Sequence, residues 1–465
     1  MKNSIAELVK HIELAYDVKN ITVRKFNKTF EVYPWIKAKL FHKLILGKES
    51  LASKSTKSLL SQFKSLFYGT WNLFIRKYEV WAFTTSVERI KIEGKYRDKL
   101  FDSISGLTKG KVLVIEFQFF KKYSLRKVAS RYVSSKALFL LSEEIYSRLF
   151  LRKVKIENLD LIRAIETDIN CSVNIEAILK KNIAQYRMMK FWLKLLPKPK
   201  YVFLTVAYNH YGYIRAFKEC GIPVVEFQHG VISENHQAYN YKVALNPIQF
   251  PDIISVFGQN EYAYLKNHSN IPIQKVSIIG RSVIDYYYER AVDNEELKTL
   301  CVALQDGPIG KKTIAFLLKF NAMSEGKYRI ILVPRRTTEE NYKSEFQFPI
   351  NFNFTNANIY ETISICDSNI TAYSTVAVEA LSLGKRSYLI NIDNKAKEVF
   401  NSSLGMNPYV HFVDKPEELI ALLRKHSKNT KKREISLSND LNIKSNYKKN
   451  CIEMLTGLDS INPKT

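Results

Sequence analysis

The sequence predicts an α/β protein made of two Rossmann-like domains with a helical N-terminal extension. Two observations lead to this prediction. Short apolar segments of strand length alternate with segments of helical periodicity in two successive series, which is typical of parallel sheets with right-handed crossovers. In addition, the chain of 465 residues is 46% hydrophobic and 25% charged, so it has enough apolar surface for more than one core.

Changes in pattern along the chain divide it into four segments. We expect a helical extension over residues 1–75 and a first Rossmann-like domain, with a helical insertion, over residues 76–290. A second Rossmann-like domain follows over residues 291–425. Residues 426–465 are predicted to form a basic helix or tail.

The charge balance is strongly basic. The chain has 71 lysine and arginine residues against 45 aspartate and glutamate residues, which gives a formal net charge of +26. Such a charge favours nucleic acid, an anionic membrane surface or phosphorylated substrates as partners. The sequence contains no recognisable nucleic-acid-binding module, so we expect no specific nucleic-acid partner and favour an anionic membrane surface.

Residues 33–46 mix basic, aromatic and apolar side chains at helical spacing. Two interpretations are open: an amphipathic helix that lies on anionic lipid, or a basic-faced helix packed on the protein. No apolar run in the chain approaches the length of a membrane span, so we expect none.

The chain has five cysteines, which are far apart and form no CxxC pair. This spacing predicts a reducing compartment, with neither disulfides nor a zinc site. The N-terminus has no apolar signal segment, so we expect a cytoplasmic protein that is peripheral on the inner face of the cytoplasmic membrane.

The first series consists of predicted strands, a short helix and a long helical insertion. The short helix covers residues 95–104 and the insertion residues 125–197. The strands cover residues 79–84, 112–117, 201–206, 224–227, 253–257 and 276–279.

The strand at 224–227 ends in Gln228, His229 and Gly230. Ligands of open α/β sheets bind at the carboxyl ends of the strands, and imidazole titrates near neutral pH. His229 is therefore a candidate catalytic residue, with Gln228 and Gly230 beside it in the same site. The alternative is a hydrogen-bonded histidine with a purely structural role.

The second series consists of strands with helices between them. The strands cover residues 299–304, 329–333, 368–371 and 388–392, and the helices residues 310–323 and 358–365. Their order predicts a second parallel sheet.

Ser374 and Thr375 stand where the strand at 368–371 turns into a helix. Hydroxyl groups in this position cap exposed backbone N–H groups, and these groups together with the helix dipole attract phosphate. Glu379, about one helical turn further, is placed to reach a ribose diol. The alternative is an ordinary capped helix with an exposed Glu379.

Two loops with glycine follow other strands. Gly280 and Arg281 lie at the junction between the two series, where glycine permits a close backbone approach. Asp306 and Gly307 begin a strand-to-helix loop that matches neither the Walker nor the dinucleotide-binding pattern. We interpret both loops as lining one cleft, and a linker turn is the alternative for the first.

Two arginine sites complete the candidates. Arg335 and Arg336 follow the strand at 329–333, and guanidinium groups match the oxygens of a diphosphate. Arg89 belongs to a polar stretch after the first strand. We interpret this stretch as binding the hydroxyl or phosphate groups of a second substrate. Solvated surface charge is the alternative for both sites.

Residues 222–232, 251–258, 276–281 and 374–385 carry the motifs IPVVEFQHGVI, PDIISVFG, VSIIGR and STVAVEALSLGK, in this order. As a set they resemble the bacterial GT-B glycosyltransferases that build surface polysaccharides such as capsule, O-antigen or lipopolysaccharide. The resemblance extends over residues 200–395.

The resemblance implies a nucleotide sugar as donor, a glycan or lipid-linked glycan as acceptor, and no bound metal or further cofactor. It implies that the first domain presents the acceptor, with His229 as the base. Gln228, Gly230 and Arg89, described above, are the other residues predicted on the acceptor side. It implies donor binding by the second domain, where Ser374, Thr375 and Glu379 would hold the phosphate and the ribose. The residues of the loops and of the arginine site described above complete the predicted donor site: Gly280, Arg281, Asp306, Gly307 and Arg335.

Related chains often end the strand at residues 329–333 with a His-Pro pair, whereas this chain reads Leu332-Val333-Pro334-Arg335 and lacks the histidine. This departure puts a CMP-sugar chemistry based on that histidine in doubt, and Arg335 is expected to supply the positive charge instead. Three other functions remain open. They are a sugar-nucleotide 2-epimerase of the same fold, a polyol-phosphate transferase, and a non-catalytic protein that binds membrane or nucleic acid.

Overall fold

The structure, a computed structural model, describes most of the chain: residues 5–46, 63–108, 110–118, 123–151, 154–234, 236–292, 298–335, 337–426 and 432–461. These residues divide into two compact units. Unit 1 comprises the described parts of Met1–Val256, Glu261–Ile279 and Lys448–Thr465, and unit 2 those of Phe257–Asn260 and Gly280–Tyr447.

The N-terminal extension contains two helices and a hairpin. Its elements are α1 (Ile5–Ala15), β1 (Thr22–Lys25), β2 (Lys28–Glu31) and α2 (Tyr33–Leu46). The sequence analysis did not predict the hairpin. Phe26 and Asn27 form its two-residue turn, each with a φ of 56°, the left-handed conformation that such turns require. Residues 47–62 of the predicted extension lie outside the described residues.

Helix α2 packs on the protein, which decides between the two interpretations of residues 33–46. Its apolar residues Trp35, Ile36, Leu40 and Phe41 are buried in the core of unit 1. Trp35 Nε1 also donates to Gln249 Oε1 at 2.6 Å. The helix therefore contributes its apolar face to the core, and that face is not available to lipid.

A fully buried ion pair joins α1 to α2. Lys37 Nζ lies 2.6 Å from Glu13 Oε1, and neither side chain has any exposed surface. The carboxylate also accepts hydrogen bonds from the Tyr33 hydroxyl at 3.1 Å and the Lys242 backbone N–H at 2.6 Å. Burial lowers the pKa of Lys37 to about 8, although Glu13 opposes this shift. The pair anchors the extension because each partner neutralises a charge that water cannot reach.

Unit 1 contains a parallel sheet and a small hairpin. Its strands are β3 (Val80–Thr85), β4 (Arg89–Ile92), β5 (Lys95–Asp98), β6 (Val112–Phe117), β7 (Val133–Ser135), β8 (Tyr201–Thr205), β9 (Val224–Phe227), β10 (Ile253–Val256) and β11 (Lys275–Ile278). Seven of them form the sheet in the order β11-β10-β9-β8-β3-β6-β7. Every pair in it is parallel, as the sequence predicts.

One helix precedes the first strand of this sheet, and five more come after it in the sequence. They are α3 (Asn72–Ile75), α4 (Ala137–Phe150), α5 (Leu159–Asp168), α6 (Ile175–Leu195), α7 (Tyr211–Lys218) and α8 (Gln259–Asn267). The most buried apolar side chains of α6 and α7 belong to the same core as the strands.

The helix predicted over residues 95–104 is wrong. This segment begins with β5, which pairs antiparallel with β4. Glu93 and Gly94 form the turn with φ values of 50° and 79°, so the chain reverses in two residues. The end of the hairpin is fixed by Asp98, whose carboxylate accepts from the Thr84 hydroxyl at 2.7 Å.

The turn after β8 is strained and is held by a buried carboxylate. Val206 has a φ of 56°, a left-handed conformation that costs a β-branched residue on the order of 1–3 kcal/mol. Glu226 Oε1, on β9, accepts from the next backbone N–H, that of Ala207, at 2.8 Å, and from the Tyr239 hydroxyl at 2.7 Å. Burial raises the pKa of Glu226 to about 7, although these hydrogen bonds lower it.

Unit 2 contains a second parallel sheet. Its strands are β12 (Thr299–Ala303), β13 (Arg329–Val333), β14 (Phe352–Phe354), β15 (Ser368–Thr371), β16 (Arg386–Ile390) and β17 (Val410–Val413). They are parallel throughout, in the order β14-β13-β12-β15-β16-β17.

The helices of unit 2 alternate with these strands, and one further helix follows them in the sequence. They are α9 (Ser282–Tyr288), α10 (Gly307–Met323), α11 (Glu339–Lys343), α12 (Ile359–Ile365), α13 (Val376–Ser382), α14 (Lys395–Leu404), α15 (Pro416–Lys425), α16 (Lys432–Leu437) and α17 (Tyr447–Ile461). Helix α17 buries Cys451, Met454 and Leu458 along one face, and belongs to unit 1 from residue 448 onward. Residues 427–431 of the predicted tail lie outside the described residues.

Over the described ranges, we find no helix with both the length and the apolar character that crossing a membrane requires.

Removing one partner of the buried ion pair tests its anchoring role. Lys37→Met leaves the Glu13 carboxylate buried without its cation, so we expect unit 1 to lose about 3–5 kcal/mol of stability. The double variant Glu13→Gln/Lys37→Met restores most of the loss. Urea unfolding followed by tryptophan fluorescence measures unit 1 alone, because all four tryptophans, Trp35, Trp71, Trp81 and Trp192, belong to it.

Lys180→Gln is the control for this experiment, because it breaks the more exposed pair with Glu176 and should cost less than about 1 kcal/mol. Equal losses in the buried and the exposed variant would contradict the anchoring role.

The raised pKa of Glu226 predicts a dependence of stability on pH. The folded-state pKa of about 7 lies above the ordinary value of 4.5, so the folded state binds the proton more tightly than the unfolded state. Ionisation of Glu226 therefore destabilises the fold as the pH rises from about 4.5 to about 7. Glu226→Gln keeps an oxygen for both hydrogen bonds and removes this loss, which amounts to about 3 kcal/mol at most.

We expect the Tm of Glu226→Gln, relative to wild type, to rise between about pH 5 and about pH 8. Glu176→Gln, at an exposed carboxylate, serves as the control. Parallel Tm curves for the wild type and Glu226→Gln would rule out an unfavourable ionised carboxylate at this position.

Candidate functional site

Strand β9 leads directly into Gln228, His229 and Gly230, as the sequence predicts. Gln228 is buried, and its Nε2 donates to the Gly230 carbonyl at 2.8 Å and to Glu261 Oε1 at 3.1 Å. A Cβ added at Gly230 would meet no atom within 4 Å, so packing does not demand glycine there. Gln228 therefore stabilises the turn through these two hydrogen bonds. The contacts with an acceptor that we predict for Gln228 and Gly230 stay predictions.

His229 is half-buried next to a tyrosine and a second histidine. Its ring centroid lies 6.2 Å from that of Tyr208, and the Tyr208 centroid lies 5.7 Å from that of His236. Burial, and then the imidazoles of His229 and His42, lower the pKa of His236 to about 4. His236 is therefore neutral near pH 7 and adds no positive charge beside His229.

His236 and Tyr208 were not predicted as site residues from the sequence. The signal for His236 was present as a second histidine in the loop that follows Gly230. Tyr208 gave no such signal, because it reaches His229 only through the pairing of β8 with β9.

Arg89 lies at the start of β4 and is buried. Its Nε pairs with Glu116, and its Nη1 donates to the Tyr96 carbonyl at 3.2 Å and to Ser130 Oγ at 3.1 Å. Within the described part of the chain, Arg89 Nη2, Glu116 Oε1 and Gln118 Nε2 have no hydrogen-bond partner. Arg89 is thus oriented by protein acceptors, and the acceptor contact predicted for it stays a prediction.

In unit 2 the structure brings together Arg281 and Glu379, two of the predicted donor residues. The Arg281 guanidinium pairs through Nη1 with Glu379 Oε1, and both side chains are buried. Its Nη2 donates to the Tyr360 hydroxyl at 3.2 Å, and its guanidinium carbon lies 4.7 Å from the Phe257 ring centroid. Arg281 therefore holds the Glu379 carboxylate in place, a contact that the sequence analysis did not foresee.

Gly280 precedes this arginine with a φ of 75°, and an added Cβ would collide with the Lys444 backbone oxygen. Glycine is required there for both reasons, which agrees with the close backbone approach that the sequence predicts.

Ser374 caps the start of α13, as the sequence predicts. Its Oγ accepts from the Val376 backbone N–H at 3.3 Å. Thr375 stands at the N-cap, where its side chain makes no capping hydrogen bond and is exposed to solvent. One hydroxyl is thus used by the helix, and the other faces outward.

Asp306 and Arg335 follow the paired strands β12 and β13. Asp306 Oδ1 accepts from the Thr337 backbone N–H at 3.1 Å and from its hydroxyl at 3.3 Å, so it joins the two loops. Gly307 begins α10 with a φ of 67°, and Arg335 is exposed. Arg336 lies outside the described residues. The donor contacts predicted for these residues stay predictions.

The described side chains include no group of three or more His, Cys, Asp or Glu residues arranged to hold a metal ion.

Comparisons with known proteins bear on the fold. No protein-family model matches the chain, and neither does any curated protein sequence. The S. aureus MnaA–UDP co-structure is similar, with a TM-score of 0.50 and 9% identity over 83% of this chain and 96% of that chain.

Two further solved structures have lower scores. CalG4, the calicheamicin glycosyltransferase, has a TM-score of 0.49 and 10% identity over 83% of this chain and 99% of its own. A UDP-N-acetylglucosamine 2-epimerase has a TM-score of 0.47 and 10% identity over 84% and 98%. The likeness to the MnaA structure reaches a TM-score of 0.50, and at 9% identity it establishes the fold alone. Together with the two parallel sheets, it confirms the predicted α/β class with two Rossmann-like domains of the GT-B type.

Proposed function

We propose that the protein is a nucleotide-sugar-dependent glycosyltransferase, in which unit 2 binds the donor and unit 1 the acceptor. The observation that carries the proposal is the position of His229 at the carboxyl end of β9, the edge where folds of this class bind ligands. The similar MnaA structure contains UDP, which supports a uridine nucleotide as the donor's leaving group.

On the donor side, the proposal uses the start of α13 and the exposed Arg335. Backbone N–H groups at a helix N-terminus attract phosphate, and the outward Thr375 hydroxyl adds a donor there. Glu379, fixed by Arg281, accepts from the ribose hydroxyls. The N-terminus of α13 and Arg335 stabilise the negative charge that develops on the leaving diphosphate. The proposal includes no metal or further cofactor.

On the acceptor side, His229 acts as the general base. Its imidazole takes the proton of the acceptor hydroxyl while the hydroxyl oxygen bonds to the anomeric carbon and the nucleotide leaves. A neutral His236 nearby favours this role, because a second positive charge would lower the basicity of His229.

We propose further that the acceptor is a growing bacterial surface glycan, held at the inner face of the cytoplasmic membrane. The support is an exposed aromatic and basic surface, which we call the aromatic face. The aromatic face consists of Phe63, Lys64, Phe67, Trp71, Phe74, Ile75, Arg76 and Lys77. Phe67 is 82% exposed. Such a surface fits anionic lipid, because rings enter the interface while lysine and arginine meet the headgroups.

Loss of the base tests the catalytic assignment. His229→Ala should lower the transfer rate by about 10²–10⁴-fold, while donor affinity stays within about twofold of wild type. Transfer is measured with purified glycan acceptors, and donor binding by thermal shift with UDP-, GDP-, CMP- and CDP-linked donors. His268→Ala, an exposed histidine of the same unit, is the matched control and should keep full activity.

The results also separate the other functions. Full transfer activity in His229→Ala would show that His229 is not the general base. Conversion of a nucleotide sugar without any acceptor would indicate the epimerase, and transfer from a CDP-polyol the polyol-phosphate transferase. Salt-dependent DNA binding without a thermal shift from any donor would overturn the enzyme proposal.

Donor binding is tested at the start of α13. Ser374→Ala with Thr375→Ala should weaken donor binding by about tenfold, because hydrogen bonds to charged phosphate oxygens are lost. Transfer at a saturating donor concentration should change less than the affinity. An unchanged donor affinity would place the nucleotide elsewhere.

The aromatic face is tested with vesicles that contain anionic phospholipid. Phe67→Ala and Phe74→Ala should reduce co-sedimentation, because fewer rings enter the lipid interface. Ile350→Ala, at a fully exposed apolar residue of unit 2, is the control and should sediment like wild type. Equal sedimentation of all variants would assign lipid binding to another surface.

A further inference from the structure

One cysteine of unit 1 has a lysine amine as its direct neighbour. Lys190, on α6, donates from Nζ to the Cys220 sulfur at 3.4 Å. Cys220 follows α7, so the contact joins two elements through residues that are 30 positions apart in the sequence. Cys220 is partly exposed, and so is the Lys190 side chain, with 26% of its surface open to solvent. The pair is therefore not sealed inside the core.

The sulfur is the closest polar partner of this amine. Among the described residues, Glu219 is the carboxylate within ion-pair distance of Lys190, at 3.8 Å. The same carboxylate lies 2.5 Å from Lys28 Nζ and 3.0 Å from Arg215 Nε, and it accepts from the Tyr186 hydroxyl at 2.8 Å. Three cations thus share one carboxylate, and the amine that is furthest from it is the one directed at the sulfur.

The other cysteines lack this combination of access and an amine neighbour. Cys171 is also partly exposed, but its thiol donates to the Leu40 carbonyl at 3.8 Å. The remaining three have no exposed surface: Cys301, Cys366 and Cys451. Among the five thiols, Cys220 is thus the one for which the structure shows both partial exposure and a hydrogen bond from a nitrogen.

We propose that Cys220 and Lys190 form a redox modification site, at which hydrogen peroxide joins the two side chains through a bond between sulfur and nitrogen. Peroxide oxidises accessible thiols to sulfenic acids, and a sulfenic acid condenses with a neighbouring nitrogen to a sulfenamide. The contact of 3.4 Å brings the nitrogen to the sulfur before any reaction, so the bond requires only a short approach of the two side chains.

The reaction has two steps. In the first, the Cys220 sulfur attacks one oxygen of the peroxide and the O–O bond breaks, which gives a sulfenic acid and water. In the second, Lys190 Nζ, after losing its proton to water, attacks the sulfur, the S–O bond breaks and the hydroxyl leaves as water. One thiol, one amine and one peroxide thus give one sulfenamide and two waters. The sulfur loses two electrons, and the peroxide gains them.

This pair and the candidate base lie at opposite ends of β9. Cys220 precedes the strand and His229 follows it, and its four residues span about 13 Å. The cross-link would hold the end of α7 on α6, at the amino ends of the strands. The proposal therefore goes beyond the proposed function and does not depend on it, and its test requires no sugar donor.

Peptide mapping of the full chain tests the cross-link. After treatment with hydrogen peroxide and digestion without reductant, mass spectrometry should show the peptides of Lys190 and Cys220 joined, with the loss of two hydrogen atoms. Dithiothreitol should release them, because its thiolate attacks the bonded sulfur as it does in thiol–disulfide exchange.

Lys190→Arg separates the cross-link from simple oxidation of the thiol. Arginine keeps the positive charge but does not lose its proton in proteins, so the joined species should disappear. Dimedone, which traps sulfenic acids, should then label Cys220 more strongly than in the wild type. Lys190 is partly exposed, so we expect this variant to fold normally.

Cys171→Ser is the matched control, because it removes the other partly exposed thiol and should leave the yield of the joined species unchanged. Cys220→Ser should abolish that species. Equal dimedone labelling of Cys220 in the wild type and in Lys190→Arg, or joined peptides that contain Cys171, would overturn the proposal. Joined peptides that carry an added oxygen atom would overturn the direct bond between sulfur and nitrogen.

Discussion

The candidate site of unit 1 depends on one hydrogen bond, from the Ala207 backbone N–H to the buried Glu226 carboxylate. This contact holds Val206 in a left-handed conformation that a β-branched residue avoids. This turn orients the residues that follow Val206, so that Tyr208 faces His229 and His210 faces Lys136. Glu226 therefore serves to shape the turn and not to form an ion pair. The raised pKa of its carboxyl group is the cost of this buried position.

Unit 2 uses a buried charge in a comparable way. Burying Arg281 and Glu379 costs the hydration energy of two ions. Their mutual attraction and the hydrogen bond to the Tyr360 hydroxyl offset this cost. Apolar residues would fill the same space at lower cost, so stability alone does not explain the pair. What the pair provides is a fixed carboxylate one helical turn after Ser374, beside the predicted phosphate position. In both units, then, a buried carboxyl group positions the groups that would meet a ligand.

The fold class followed from local patterns, whereas the partners within the site did not. The strand at 224–227 is apolar except for Glu226 and is followed by Gln228, and it occurs in the structure with those bounds. Arg281 and Glu379 are each recognisable as polar residues near strand ends, but only tertiary packing joins them. The hairpin at Glu93 depends on two left-handed residues, and its sequence also suits a helix. Periodicity reports one element at a time, so contacts between elements escape it.

The basic character of the chain has more than one physical origin. An exposed lysine costs little and adds to the net charge of +26, so it needs no local explanation. Lys136 is different, because its amine has given up water and lies beside a histidine and near two other lysines. The net charge thus combines exposed amines, which meet water, with the nearly buried amine of Lys136, whose charged form is disfavoured by burial. Composition counts exposed and buried lysines alike, so burial and not the net charge identifies the positions where a positive charge is costly.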